Sequence, residues 1–198
     1  MVEIPPILLD VFTEFVNIGV GRAAGILNQM VSSPVTLTVP KIEVLDTCDT
    51  GGIERELGSE ALSVVRLTFG AGLDGSAALL FPASSAHKFV MLLTGEQPGS
   101  IDIDSLKAET LNEVGSILLN GIMGSIANLC EVHISYSVPE HMVATPREVC
   151  GAECGKGAAV MIVHAMFIVQ EHKIEGKMLL VFQGDSMQTL LDAIKGKL

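Results

Sequence analysis

The stretch DVFTEFVNIGVGRAAGILNQMVSSPVTLTVP, Asp10 to Pro40, decides how the rest of the chain is read. It predicts an amphipathic helix, a short turn and a strand that closes at Pro40. Asp10, Glu14, Asn17, Gly21 and Asn28 share one narrow stripe at 3.6 residues per turn. Val11, Phe12, Phe15, Val16, Ile18, Val20, Ala23, Ile26, Leu27 and Met30 make the remainder almost wholly apolar. A helix apolar over most of its circumference is buried over most of it, which leaves the polar stripe for water or a partner. The helix is expected from about Ile7 to about Val31, with Ser32–Ser33–Pro34 as its stop. Val35 to Val39 alternates apolar and polar in the half-buried strand pattern and Pro40 closes that run, with Ile42 to Leu45 open to continuing a strand.

Further along, Ala61–Phe69 and Ala77–Phe81 read as strands joined by a glycine-bearing turn, Ala71–Gly75. A helix around Ser84–Leu93 ends at Gly95, and Glu96–Ser100 is a linker. The plan then repeats: a helix Leu106–Leu129, strands His133–Val138, Ala158–Val169 and Lys177–Phe182, and a helix Ser186–Ile194 ending at Gly196. Thr47–Glu60 and Glu140–Gly157 read as loops, and Glu171–Gly176 as a turn. Glu109, Glu113, Ser116 and Pro139 each stand 99 residues after Asp10, Glu14, Asn17 and Pro40, while Gly176 and Gly196 stand 101 after Gly75 and Gly95. Such agreement at both ends of the unit predicts an internal duplication, with repeats 1–97 and 98–198. The expected fold is α+β: a helix–strand–strand–strand–helix unit used twice, about six strands and two long helices about a pseudo-twofold axis. Neither half can bury its apolar helix alone, so a single domain over residues 1–198 is expected, with one sheet or two abutting ones.

Composition removes several functions. Hydrophobic residues make up 48% and charged residues 18% of the 198, which argues for a packed core. A net charge of −11 gives no basic footprint for nucleic acid and disfavours an anionic membrane surface. The N-terminus lacks a positive n-region and carries Pro5–Pro6, so no secretory signal is read there and the cytoplasm is the expected location. The four cysteines are then expected as free thiols, and the CGAEC string at Cys150–Cys154 is a weak metal motif. GVGRAAG lies inside a helix with no strand before it and has the wrong spacing for a dinucleotide loop. The five histidines are scattered, and His164, inside an apolar strand, is expected as a hydrogen-bonded core residue. Nothing in their placement supports a Ser–His–Asp arrangement.

Glu14 and Asn17, three apart, project from one face of one helix. A carboxylate there can pair with a partner's cation, and an amide can hold and orient a water. The same stripe also reads as an ordinary wet helix face, and composition alone favours that. Gly19, Gly21 and Gly25 suit either a close partner or helix–helix packing.

Asp10, Glu14, Asn17 and Pro40 spell D-x3-E-x2-N-x22-P. This resembles the signature of the CheC/CheX/FliY family of chemotaxis phosphatases with every spacing kept, and NIGVGRAAGILNQM is similar to the family's first helix. The similarity spans the chain and is nearest to CheC; FliY would add a motor-switch domain after it. The resemblance implies a phosphatase acting on the phospho-aspartate of a CheY-type response regulator in two-component signalling. Glu14 would pair with the regulator's active-site lysine, and Asn17 would orient the hydrolytic water. Asp10 would tune docking and Gly21 would leave room for the partner. Magnesium would be held by the regulator, so the chain would need no cofactor or metal of its own. The second frame, Glu109, Glu113 and Ser116, departs from the pattern: a serine hydroxyl cannot present amide donor and acceptor together, so this site is expected to be degenerate. Its plain alternative is a solvated helix face. The family's receptor deamidase, CheD, is the partner implied for a rival, non-catalytic adaptor role.

Overall fold

A computed structural model describes residues 4–30, 34–46, 50–95, 103–151, 158–169 and 171–198. The elements run α1 (Pro6–Met30), β1 (Val35–Asp46), α2 (Thr50–Leu57), β2 (Leu62–Gly70), β3 (Gly75–Pro82), α3 (Ala83–Thr94) and α4 (Ile103–Cys130). There follow β4 (Ser135–Tyr136), β5 (Glu140–Ala144), α5 (Pro146–Gly151), β6 (Ala159–Val169), β7 (His172–Phe182) and α6 (Ser186–Lys195). The Glu96–Ser100 linker, the Ser32–Ser33 helix stop and the Cys48 and Cys154 thiols fall outside the described residues.

All strand pairings are antiparallel, in one seven-stranded sheet of order β1-β6-β7-β3-β2-β4, with β5 also on the outer edge of β2. The middle pair is β3 with β7. Each is flanked by its own hairpin partner, β2 or β6, and each outermost strand comes from the opposite half of the chain. Both halves are therefore needed to complete the sheet.

The sheet is covered on both sides, which explains why β6 is so nearly continuous in apolar residues. Met161, Val163, Ala165 and Phe167 face the main core under α1, α3, α4 and α6, whereas Val160 and Ile162 face a smaller core. That smaller core is roofed by α2 and α5 through Ile53, Leu57 and Val149. In the main core, Phe81, Phe89 and Phe167 form a ring cluster with centroids 4.9–5.3 Å apart, and Phe69 meets Phe182 edge-on at 5.8 Å. Gly75 and Gly176 sit beneath these rings: a Cβ would lie 2.8 Å from Phe69 at the first and 2.7 Å from Phe81 at the second. Gly75 thus belongs to strand packing, and the positive φ of the β2–β3 turn falls on Ala71 and Gly72.

Several expectations change. Among the described residues seven strands form where about six were expected, because Glu140–Ala144 pairs with Leu62–Arg66. Pro40 does not close β1, which continues to Asp46; the register slips between Thr38 and Lys41, and an edge strand tolerates a missing N–H there. At Pro139 the matching edge strand does break, and Ser137 bridges the gap: its N–H donates to Thr68 O and its Oγ accepts from Thr68 N, each at 2.9 Å. The two presumed loops contain helices. The N-terminus of α5 is a capping box, with Thr145 N donating to Glu148 Oε2 at 2.7 Å, Glu148 N donating to Thr145 Oγ1 at 3.3 Å, and Pro146 at the first helical position. The expected Glu171–Gly176 turn is a two-residue connection, with His172 already paired to Val169. Gly95 caps α3 at φ +74°, as a helix-ending glycine should, but Gly196 stays right-handed at φ −68°.

α1 and α4 cross where their glycines meet. A Cβ on Gly19 would lie 2.7 Å from Gly121 O and from Ile122 Cα, and one on Gly121 would lie 3.0 Å from Gly19 O. Further along, Leu27 and Met30 share a cavity wall with Leu106 to Val114, so the helices run antiparallel. Helix α4 is long and apolar enough from Leu106 to Cys130 to cross a membrane, but 56% of its most apolar window is buried within the fold, as in a core helix. Burial raises the Cys130 thiol to about 11.

Two histidines are tied into the sheet. His141 Nε2 lies 2.7 Å from Oγ of the buried Ser63 and fastens β5 to β2 in a part-buried contact. His164 is not the hydrogen-bonded core residue expected. It is half-buried, opposite Lys41 on one side and Lys177 on the other, with Nε2 3.6 Å from Glu43 and 3.9 Å from Glu56. Burial, with Lys107 nearby, lowers the pKa of His141; burial, Lys177 and Lys41 lower that of His164, against the pull of Glu56 and Glu175.

Gly19→Ala should destabilise the fold by about 1–3 kcal/mol, because backbone must move, whereas Gly25→Ala, whose Cβ meets nothing within 4 Å, should stabilise it by roughly 0.5–1 kcal/mol. Urea unfolding of the two variants checks both signs. The histidines give a pH dependence: each holds a proton less well folded than unfolded, so the unfolded chain takes up more protons in acid. Stability should be full above the ordinary histidine value of 6.5 and fall as the pH drops below it. His141→Gln and His164→Gln should each flatten that fall in urea titrations at neutral and mildly acid pH.

Candidate functional site

Helix α1 begins with Pro5 and Pro6, which have no N–H to leave unsatisfied; Pro5 O accepts from Leu8 N at 2.9 Å. Its buried side is Leu8, Phe12, Val16, Val20, Ala23 and Leu27. Asp10, Glu14 and Gly21 lie on the exposed side, and Asn17 at its half-buried margin. Among the described residues, neither Glu14 nor Asn17 makes a hydrogen bond or ion pair within the chain. A carboxylate and an amide are thus held one turn apart on a rigid helix, with their polar groups uncommitted.

The glycines of α1 separate by role. Gly19 is filled by α4, whereas Cβ atoms at Gly21 and Gly25 would meet nothing within 4 Å. Only the first answers to helix–helix packing. Asn28, placed on the polar stripe by its angle, is committed elsewhere: its Nδ2 donates to Val35 O at 2.9 Å and its Oδ1 accepts from Val35 N. It fixes the first residue of β1 to the end of α1. An asparagine seven residues before a strand start is the only trace of this in the sequence.

On α4, Glu109 and Glu113 are exposed and Ser116 is half-buried. Asn120 Nδ2 donates to Ser116 Oγ at 3.3 Å, so the hydroxyl at the position matching Asn17 is engaged inside the chain. Because α1 and α4 are antiparallel, the two frames lie on opposite sides of the Gly19–Gly121 crossing. Glu109 and Glu113 line a cavity of roughly 600 Å³. A separate cavity of roughly 830 Å³ is lined by Arg66, Asp74, Gln183 and Ser186 and includes none of the predicted site residues.

Among the described residues, one group has metal-ligand chemistry: donor atoms of Glu43, Glu56 and His164 lie within 4.8 Å of one another. Lys41 pairs with Glu43, and the Lys177 ammonium donates to Glu56 O, so the chain supplies positive charge to this cluster itself. The CGAEC motif spans residues whose side chains are outside the described set.

No family model matches the chain. The CheY-P phosphatase CheC of Bacillus subtilis is 26% identical over 139 residues, a match spanning 67% of this chain and 64% of that protein. Among solved structures, Thermotoga maritima FliY superposes with a TM-score of 0.77 at 18% identity, covering 100% of both chains. A chain of the FliG–FliM complex from H. pylori gives 0.65 at 13% identity, over 96% of this chain and 100% of that one. The CheX–CheY–BeF3–Mg2+ complex from Borrelia burgdorferi gives 0.50 at 15% identity, over 87% and 99%. The chain is thus similar in sequence to a CheC protein and in fold to FliY and to solved chains of FliM and CheX complexes.

Proposed function

We propose that this protein is a CheC-like phosphatase that hydrolyses the phospho-aspartate of a CheY-type response regulator. The observation that carries the reading is the uncommitted Glu14 and Asn17 pair on the exposed side of α1. The similarity to a protein named as a CheY-P phosphatase, and to CheX solved with CheY, supports it. In this reading the Glu14 carboxylate pairs with the regulator's active-site lysine and docks the helix. The Asn17 amide then enters the phosphorylated site, accepts a hydrogen bond from a water and holds it in line with the phosphorus–oxygen bond that breaks. Such catalysis is positioning rather than covalent chemistry. Magnesium belongs to the regulator, and this chain supplies no cofactor. Asp10 adjusts docking, and Gly21 leaves the partner room to approach.

The second frame is inactive or weak in this proposal, since Ser116 lacks the amide and is already bonded to Asn120. The chain is a duplicated unit, 1–97 and 98–198, folded as one domain in the cytoplasm. The exchanged edge strands and the Gly75 and Gly176 contacts support the duplication. A second reading, a non-catalytic adaptor for the deamidase CheD, draws on the altered second frame.

Decay of a purified phosphorylated CheY-type regulator tests the proposal. The wild-type protein should accelerate it, and Asn17→Ala should remove on the order of 10²-fold of the acceleration. Glu14→Ala should mainly weaken docking, in a salt-dependent way. Ser116→Asn should add activity. Near-full activity of Asn17→Ala would overturn the mechanism, and CheD binding without any acceleration would favour the adaptor.

A further inference from the structure

The groove between the last turns of α1 and the first half of α4 sets the two carboxylates of the second frame beside an apolar cavity, and the phosphatase reading makes no use of that cavity. Its floor is apolar and buried: Leu27 is 1%, Val114 3% and Leu93 6% exposed. Its wall on α1 is Met30, 54% exposed, with Ile26, 47% exposed, one turn earlier on the same helix. The opposite rim carries Glu109 and Glu113, one turn apart, and among the described lining residues there is no lysine, arginine or histidine. Two like charges at this spacing repel, and a cation placed between them relieves the repulsion.

We propose that this groove is a docking site for a basic amphipathic helix of a partner protein. An apolar side chain of that helix enters the cavity, and a lysine or arginine one turn away sits on Glu109 and Glu113. The volume of roughly 600 Å³ admits anchoring side chains from successive turns. A methionine wall adapts to their shape. The charge selects the occupant: at −11, the chain steers basic surfaces toward itself and repels both a second copy and an anionic membrane. The proposal stands apart from the chemistry at Glu14 and Asn17 and does not need it.

The test is fluorescence anisotropy of the full chain with three labelled helical peptides: leucine–lysine, leucine–glutamate and serine–lysine. The leucine–lysine peptide should bind saturably and the other two should not. Glu109→Lys with Glu113→Lys should weaken that binding by about tenfold or more. Glu60→Lys with Glu171→Lys, the same charge change at exposed positions elsewhere, should alter it by less than about twofold. Met30→Asp should weaken it as well, and thermal melting verifies that each variant is folded. Equal loss in the two charge-reversed pairs would overturn the proposal, as would equal binding of the serine–lysine peptide or no saturable binding of any peptide.

Discussion

The close crossing of α1 and α4 is the contact on which the arrangement depends. Helices normally pack 8–10 Å apart, and side chains set that distance. Here Gly19 faces backbone atoms of Gly121 and Ile122 with no room for a Cβ. The two longest helices are thereby locked together over one face of the sheet, with Val16, Val20 and Ala23 turned inward. Once the buried side of α1 is fixed, the outward direction of Glu14 and the marginal position of Asn17 follow from the helical period.

The sheet makes that crossing possible. Each half contributes a hairpin to the centre and an edge strand to the other half's hairpin. The central pair, β3 and β7, is close enough that a Cβ on Gly75 would strike the Val181 carbonyl and Phe69, and one on Gly176 would strike Phe81 and Phe167. The second face is closed by two short helices and a charged cluster in which His164 is surrounded by lysines and glutamates. A carboxylate and an amide on a packed helix are better fixed than on a loop, which is what the proposed positioning role of Glu14 and Asn17 requires.

The two helices present different surfaces from similar frames. On α1 the acidic and amide groups stand on a helix face with open glycines beyond them. On α4 the carboxylates stand over an apolar cavity and the serine is bonded to its neighbour. One face presents uncommitted polar groups, and the other presents burial and negative charge together.

The sequence by itself determined the strongly periodic elements: α1, α4, the β2–β3 and β6–β7 strands, and the stripe holding Asp10, Glu14 and Asn17. Those follow from local rules, since a side chain's direction on a helix or strand is set by its neighbours in the chain. It also carried the capping box Thr145–Glu148, although the loop reading passed over it. Tertiary structure alone decided which strand pairs with which, because the exchange of edges depends on contacts between the two halves of the chain, more than 100 residues apart at β1 and β6. It decided that Gly19 packs while Gly21 and Gly25 do not, that Asn28 holds β1 rather than facing a partner, and that β1 passes through Pro40 while its counterpart breaks at Pro139. In each case the residue type allowed both outcomes. The atoms lying opposite, which no local pattern specifies, chose between them.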